Sequence, residues 1–263
     1  LVLTPLSRIL AIASGFIDYP RNDRVHRRPT PFLGGLAVAL SAGLAFAILA
    51  PRLPGLTELW DRGTLPRAAV PTTLFVATGA LLLGLIDDRF VLSPLQKLVG
   101  QIVLSVAFLA PLVPATWSWT LLLWPIGLLW MVGQMNAFNL LDNMDGILSG
   151  IGALIGLFMG VMALQLGRPD MAALALAAGG ASLGFLCFNF PPATIFLGDA
   201  GAFFIGFLLA AVGWQLAGHE FLSFGSPAAA AVLILAYPIF DVTFVTVTRL
   251  IEHRPVYVGG IDH

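Results

Sequence analysis

The amino-acid sequence predicts an all-α integral membrane protein, a polytopic helical bundle with a polar cleft at one membrane face. Hydrophobic residues make up 58% of the 263 residues and charged residues only 10%, and the mean hydropathy is +0.92. Long, almost uncharged runs recur along the chain, as is typical of membrane-spanning helices. The net charge of −1 provides no basic surface for nucleic acid. The single cysteine excludes an intrachain disulfide.

Apolar runs of membrane-spanning length divide the chain into nine predicted segments. They are residues 1–16, 33–50, 70–86, 96–113, 118–135, 147–166, 171–188, 201–217 and 228–249. We interpret residues 1–263 as one polytopic membrane domain. The chain begins at Leu1 rather than at Met and stops at His263. We therefore expect both ends to be truncated and the full chain to hold ten or more segments.

Nine crossings divide the connecting loops into two sets, one on each side of the membrane. The first set is 17–32, 87–95, 136–146, 189–200 and 250–263, and the second is 51–69, 114–117, 167–170 and 218–227. With Lys97 and Arg249 counted at their nearer ends, eight arginines and lysines belong to the first set and four to the second. Because basic residues are enriched in cytoplasmic loops, the first set is predicted to face the cytoplasm.

The most polar stretch of the first set follows the fifth segment. It places Asn136, Asn139, Asp142 and Asp145 at a constant spacing of three residues, just before Gly146. Carboxylates at a bilayer edge are costly without a cation or a partner, and hard oxygen donors favour Mg²⁺ over zinc. The alternative is a helix cap followed by an Asx-turn, which explains one or two of the four residues.

Two further acidic positions fall in the same set of loops. Asp87 and Asp88 are adjacent, and adjacent carboxylates repel unless they share a cation or a proton; the alternative is a helix-end pair that reaches water. Lys97, close behind them, is an interfacial anchor or a phosphate ligand. Asp199 lies between Gly198 and Gly201 near a predicted helix start, so it either caps that helix or lines a site that a ligand approaches closely.

Each of the remaining polar groups also has an explanation that requires no functional role. The 17–32 loop carries four arginines, which satisfy the cytoplasmic charge rule and also suit an anionic substrate or lipid headgroups. His253 is interpreted as a solvated interfacial histidine. Asp241 lies inside the ninth segment, where a carboxylate is costly, so we expect it to face the protein interior or the cleft. The polar clusters thus converge on one membrane face.

Taken in order, these motifs resemble the polyprenyl-phosphate N-acetylhexosamine-1-phosphate transferase family. The matching stretches are Asp18–His26 with Pro29–Gly35, Gly84–Asp88 with Lys97 and Gln101, Asn136–Gly146, Asn189–Gly201, and Gly259–His263. The resemblance covers nearly the whole chain. It implies a bacterial inner-membrane enzyme, with its cleft facing the cytoplasm, that transfers a sugar-1-phosphate from a UDP-N-acetylhexosamine to a polyprenyl phosphate and releases UMP. It also implies Mg²⁺, with Mn²⁺ as an alternative, contact with membrane lipid, and a homodimer.

The resemblance further implies roles for individual residues. The implied catalytic residues are Asp87, Asp88 and Asp199, with Asn139 and Asp199 as metal ligands. The implied substrate-binding residues are Lys97, Asn136, Asp142, Asp145, Asn189, Arg254 and His263. We expect direct attack by the lipid phosphate rather than a covalent aspartyl intermediate, because no sequence feature requires a second step.

The last loop and the ninth segment resemble the WecA/TagO branch, whose members commonly use UDP-N-acetylglucosamine, more than the muramoyl-pentapeptide branch. Two positions depart from the family pattern: Asn143 replaces a glycine, and Ala202 replaces a common serine. Two other classes are alternatives. An ion-coupled transporter would place its carboxylates near the bilayer midplane, and a lipid phosphatase would need an arginine and histidine cradle. The acidic groups at one face disfavour both.

Overall fold

The computed structural model describes residues 1–19, 29–52, 69–113, 120–218 and 226–254. Within these ranges the chain forms ten α-helices and one short antiparallel sheet. The elements are α1 Leu3–Ser14, β1 Ile17–Asp18, β2 Thr30–Pro31, α2 Gly34–Leu49, α3 Ala69–Phe90, α4 Pro94–Leu109, α5 Thr120–Leu141, α6 Ile147–Gln165, α7 Pro169–Asn189, α8 Gly198–Ala217, α9 Ser226–Ile234 and α10 Ala236–Ile251. A 3₁₀ turn at Ala50–Arg52 follows α2.

The predicted all-α polytopic architecture is confirmed, and each predicted segment corresponds to a helix or, for the last, to two helices. Five helices of the described chain are long and apolar enough to cross a membrane, or six if the bent pair α9 and α10 is one span. The helices α1 and α4 are apolar but contain only 12 and 16 residues. The count of nine crossings therefore stays a prediction.

The ninth predicted segment is not one straight helix. It divides at Leu235 into α9 and α10, whose axes differ by 59°. Asp241 of α10 is buried, in agreement with the prediction that it faces inward.

Helix α8 forms the centre of the bundle. Nearly every residue of α8 is buried, and it packs against α2, α3, α5, α6, α7 and α9. Its only ionisable residue is Asp199, in the first turn. The other helices leave large apolar side chains exposed on their outer faces, as expected for helices that face lipid. The start of α8 is therefore held in place by the surrounding helices, and the polar ends of other elements lie around it.

Glycines bring two helices close to the first turn of α8. A Cβ at Gly35 would lie 2.2 Å from the backbone nitrogen of Gly201, and a Cβ at Gly84 would lie 2.4 Å from Cα of Ala200. Small residues allow this approach of helix backbones in a membrane. Since Gly84 lies one turn before Asp87 and Asp88, the contact brings both carboxylates to the start of α8.

Replacing Gly84 with alanine should destabilise the protein, because the added methyl group collides with backbone atoms of α8 that cannot rotate away. We expect a loss of about 1–3 kcal/mol in the free energy of unfolding, the usual cost of overpacking. Thermal unfolding in detergent measures it. Gly43→Ala is the matched control, because nothing lies within 4 Å of its added Cβ and alanine favours a helix. Equal melting of Gly84→Ala and the wild type would contradict this packing.

The connection between α7 and α8 is attached to the beginning of α2. The backbone N–H of Phe196 donates to the carbonyl of Pro31 at 2.8 Å, and Gly34 N–H donates back to Phe196 at 3.0 Å. The N–H of Gly35 donates to the carbonyl of Leu197 at 2.7 Å. These bonds hold the β1–β2 hairpin, the start of α2 and the residues before α8 together at one end of the bundle.

Candidate active site

Asp199 is the meeting point of three helices. One of its carboxylate oxygens, Oδ2, accepts a hydrogen bond from Lys97 Nζ at 2.9 Å. The other, Oδ1, accepts from Asn139 Nδ2 at 2.7 Å. These residues belong to α8, α4 and α5, and more than 50 positions separate Asp199 from each partner. The structure thus brings together residues from three of the predicted polar clusters.

Lys97 also bridges Asp199 to Asp87. The Oδ2 oxygen of Asp87 forms an ion pair with Lys97 Nζ, and its Oδ1 oxygen accepts from Leu92 N–H at 2.8 Å. Asp87 is buried and Lys97 is about one-quarter exposed. The ammonium group therefore lies between two carboxylates and remains within reach of solvent. A bound anion can approach it from that side.

Local sequence explains the position of Lys97. Helix α4 begins with a capping box in which Ser93 Oγ accepts from Gln96 N–H and Gln96 Oε1 accepts from Ser93 N–H. Pro94 occupies the first helical position, where its missing N–H costs nothing. Lys97 follows in the first turn of this well-defined helix. The capping box thus fixes the starting point from which the lysine reaches both carboxylates.

Asp88 has a different environment from Asp87. Its Oδ1 accepts from the backbone N–H of Asp199 at 2.9 Å, and its Oδ2 accepts from the N–H of Ala200 at 3.2 Å. Both N–H groups belong to the first turn of α8, where a helix has unpaired donors and a positive dipole end. The capping role considered for Asp199 therefore falls to Asp88, and the Asp199 side chain instead faces Lys97 and Asn139.

Asp142 and Asp145 lie in the turn between α5 and α6. Burial, together with the carboxylates of Asp199 and Asp88, raises the pKa of Asp142 well above its usual range, although a hydrogen bond from Gly198 N–H opposes the shift. Asp145 Oδ2 accepts from Ala193 N–H at 2.8 Å. Asp142 thus lies in the electrostatic field of the cluster, and Asp145 links the turn to the connection before α8.

Two predicted substrate-binding amides bond to protein groups. Asn136 Nδ2 donates to Gln101 Oε1 at 2.7 Å and to the Val132 carbonyl at 2.8 Å, and its oxygen accepts from Gln101 Nε2 at 3.4 Å. Asn189 is buried and joins Gly146 and Ser149 to Ile195. Both amides hold site elements together in this structure. Contact of either with a substrate stays a prediction.

Of the two predicted site residues in the last loop, only Arg254 lies within the described part of the chain. Arg254 is exposed and forms an ion pair with Glu252. His263 lies outside the described residues, as do the four arginines of the 17–32 loop. Their predicted roles toward sugar, phosphate or lipid headgroups stay predictions.

Several contributors were not predicted from the sequence. The hydroxyl of Ser149 and the backbone N–H groups of Leu92, Ala193 and Ala200 all bond to site residues. Backbone donors leave no signal in residue type. A serine in an apolar helix is a weak signal, because its hydroxyl is usually satisfied by a carbonyl one turn earlier.

The donor set fits Mg²⁺ only with help from a ligand. Within the described ranges, no three or more His, Cys, Asp and Glu side chains are grouped to hold a metal ion. Mg²⁺ is commonly bound by one or two carboxylates together with substrate phosphates, and Asp199 supplies such a carboxylate. Asn139 lies beside Asp199 as predicted, but it presents its NH₂ group, so a ligand role requires its amide to turn.

These features define a polytopic helical membrane protein with a carboxylate and lysine site at one end of the bundle. Residues 70–217 match Glycosyl transferase family 4, and the chain belongs to that family. The chain is 31% identical over 274 residues to the "Probable undecaprenyl-phosphate N-acetylglucosaminyl 1-phosphate transferase" of Bacillus subtilis (strain 168), covering 100% of this chain and 72% of the relative. The family resemblance drawn from the motifs is confirmed.

Relatives with other names are also similar. The "Decaprenyl-phosphate N-acetylglucosaminephosphotransferase" of Mycolicibacterium smegmatis is 32% identical over 275 residues, covering 92% of this chain and 66% of the relative. The "Phospho-N-acetylmuramoyl-pentapeptide-transferase" of Moorella thermoacetica is 34% identical over 235 residues, covering 81% of this chain and 68% of the relative. Both branches considered for the chain are therefore represented among its relatives.

Proposed function

We propose that this protein transfers N-acetylglucosamine-1-phosphate from UDP-N-acetylglucosamine to a polyprenyl phosphate such as undecaprenyl phosphate. UMP is released, and a polyprenyl-diphosphate sugar remains in the membrane as the first lipid-linked intermediate of a cell-envelope glycan. The observation that carries the proposal is the cluster of Lys97, Asp87 and Asp199 at one end of an apolar bundle. The names of similar N-acetylglucosamine-phosphate transferases support the choice of sugar.

In this reaction a phosphate oxygen of the lipid attacks the phosphorus that carries the sugar. The new phosphorus–oxygen bond forms as the bond to the oxygen bridging the two phosphates of UDP breaks, and UMP departs with that oxygen. Two anions must meet, so the protein must neutralise charge and align the reacting groups. Lys97 supplies a cation to the phosphates. Mg²⁺, held by Asp199 with Asn139, would add positive charge at the diphosphate.

The two adjacent aspartates have different roles in this proposal. Asp87 directs one oxygen to Lys97 and only the other to a backbone N–H, so we assign to Asp87 the acceptance of a proton from the lipid phosphate. Both oxygens of Asp88 accept from the backbone of α8, so Asp88 positions Asp199. Asp142 and Asp145, on the turn after α5, line the nucleotide side.

Direct attack is favoured over an aspartyl-phosphate intermediate. The two oxygens of Asp199 face Asn139 and Lys97, and such donors lower the nucleophilicity of a carboxylate. Trapping a phosphorylated Asp199 with labelled donor in the absence of lipid acceptor would overturn this choice.

We place the enzyme in the bacterial inner membrane with the cleft toward the cytoplasm, since basic residues favour that side.

The transfer itself is tested with purified protein, UDP-N-acetylglucosamine labelled in the sugar, undecaprenyl phosphate and Mg²⁺. We expect label in the lipid phase and one UMP released for each sugar transferred. A parallel reaction contains UDP-N-acetylmuramoyl-pentapeptide. Transfer from this second donor alone would assign the protein to the muramoyl-pentapeptide branch, and transfer from neither would refute the proposed activity.

Removal of divalent cations should stop the reaction. We expect chelation with EDTA to abolish transfer and added Mg²⁺ or Mn²⁺ to restore it, because the carboxylates of Asp87 and Asp199 outnumber the single lysine that faces both. The initial rate is measured against free Mg²⁺ concentration. A rate that is unchanged after exhaustive chelation would remove the metal from the proposal.

A further inference from the structure

One short connection carries two acidic residues of the cleft, and another leads directly to a third. One is the turn 142–146 between α5 and α6, which holds Asp142 and Asp145. The other is the 190–197 connection that leads into α8 and Asp199. The distance between the nucleotide side and the phosphate side of the cleft therefore depends on how firmly these connections hold each other.

Asn189, the last residue of α7, joins the two connections. Its Oδ1 oxygen accepts from Gly146 N–H at 3.0 Å and from Ser149 Oγ at 2.9 Å, and its Nδ2 donates to the Ile195 carbonyl at 3.1 Å. A carboxamide oxygen has two acceptor positions, and both are used here. Asn189 is 3% exposed and Ser149 is 0% exposed, so water does not compete for these bonds.

We infer that Ser149 is a positioning residue, which acts through Asn189 to set the spacing between the Asp142–Asp145 turn and the residues that lead to Asp199. The inference rests on the proposed function only in naming the substrate that is affected. The hydroxyl of Ser149 orients the Asn189 oxygen toward Gly146. Gly146 has φ of +79°, a conformation that other residues rarely adopt, so the turn has little freedom to compensate.

Without the hydroxyl, the Asn189 carboxamide keeps its bonds to Gly146 and Ile195 but is held less firmly. The turn is then held to the 190–197 connection by these two bonds and by the bond from Ala193 N–H to Asp145. A looser turn should weaken binding of the nucleotide, which lies on that side. It should affect the lipid acceptor and the chemical step much less, because Lys97, Asp87 and Asp199 do not contact Ser149.

The chain contains a matched control serine. Ser182 is also fully buried in a membrane helix, and its Oγ donates to the carbonyl of Ala178 at 2.9 Å, one turn earlier in α7. Ser149→Ala and Ser182→Ala each delete one buried hydroxyl. Only the first removes a bond that reaches another site element.

The test compares both variants with the wild type in the transfer reaction. For Ser149→Ala we expect KM for UDP-N-acetylglucosamine to rise about 3–10-fold, the effect of losing one hydrogen bond. Its kcat and its KM for undecaprenyl phosphate should stay within about twofold of the wild-type values. Ser182→Ala should leave all three constants unchanged. Ser149→Thr, which keeps a hydroxyl, should restore the KM.

Hydrogen exchange of the intact protein in detergent gives a readout that does not depend on activity. A peptide spanning 142–147 should exchange faster in Ser149→Ala and not in Ser182→Ala. Equal KM values or equal exchange in the two alanine variants would overturn the inference, as would faster exchange with an unchanged KM or a raised KM in Ser149→Thr. If the wild type transfers nothing, the proposed function fails, and the exchange comparison still decides whether Ser149 holds the turn. If Ser149→Ala does not fold, the test uses the hydrogen exchange and the KM of Ser149→Thr. Values equal to those of the wild type support the inference, and changed values overturn it.

Discussion

Replacing Asp199 with asparagine should reduce the transfer rate by about 100–1000-fold or more, the effect of losing one group that stabilises developing charge. The Asp199 side chain faces Lys97 through one oxygen and Asn139 through the other. An asparagine offers one oxygen and no charge, so it can satisfy only one of these donors. It also removes the carboxylate proposed to hold Mg²⁺. Initial rates with labelled UDP-N-acetylglucosamine measure the loss.

The control for Asp199→Asn is Asp170→Asn. Asp170 is also an acidic residue in the first turn of a helix, α7, and it is buried in an ion pair with Arg168 at 2.9 Å. It lies in the first turn of α7, whereas Asn189, which joins the connections of the cleft, is the last residue of that helix. We expect Asp170→Asn to lower the melting temperature and keep the wild-type kcat, whereas Asp199→Asn should lose kcat and remain folded. More than a tenth of the wild-type rate in Asp199→Asn would remove Asp199 from the mechanism.

The helices were predictable because their signal is local. Long apolar runs are costly outside a membrane or a core, and the predicted segment 147–166 corresponds closely to α6. The ends were less predictable, because several helices continue past their apolar runs. Helix α3 extends to Phe90 and α5 to Leu141. Consequently Asp87, Asn136 and Asn139 lie on the last turns of helices rather than in loops.

The break between α9 and α10 was not predicted from the hydropathy of the sequence. Residues 226–251 read as one apolar run, and Leu235, where the axis bends, is itself apolar. Hydropathy depends on composition and not on direction, so a run of this kind does not reveal a bend. Pro238 lies three residues later, in the first turn of α10. Because it has no N–H to donate to the carbonyl of Ile234, one turn earlier, the break falls where a proline interrupts a helix.

The sequence predicted which residues form the site, but it did not predict which of them bond to each other. Polar residues stand out in an apolar chain because each is costly without a partner, and this singled out Asp87, Asp88 and Asp199. No sequence pattern indicated which partner each would find. Asp88 bonds to backbone groups 111 and 112 positions away, and Asn139 bonds to Asp199 across 60 positions. Such contacts arise from helix packing, which glycines at 35 and 84 permit.

Replacing Asp88 with asparagine should damage both activity and stability, unlike the same change at Asp87. Asp88 accepts two backbone N–H groups at the start of α8, and an asparagine would turn its NH₂ group toward one of them. We expect a loss of about 1–3 kcal/mol in the free energy of unfolding for the unsatisfied donor. The transfer rate should also fall about 100-fold or more, because Asp199 would lose its alignment.

Asp87→Asn should reduce the transfer rate strongly but the stability less than Asp88→Asn does. Its remaining oxygen can still accept from Leu92 N–H, so the end of α3 keeps its hydrogen bond. The oxygen that faces Lys97 is replaced by an NH₂ group, and the proposed proton acceptor is lost. We therefore expect a rate loss of about 100–10,000-fold, the range for general acid–base groups, with a smaller fall in melting temperature than in Asp88→Asn. Equal melting temperatures for the two variants would show that Asp88 does not hold α8, and the separate roles of the two aspartates would have to be abandoned.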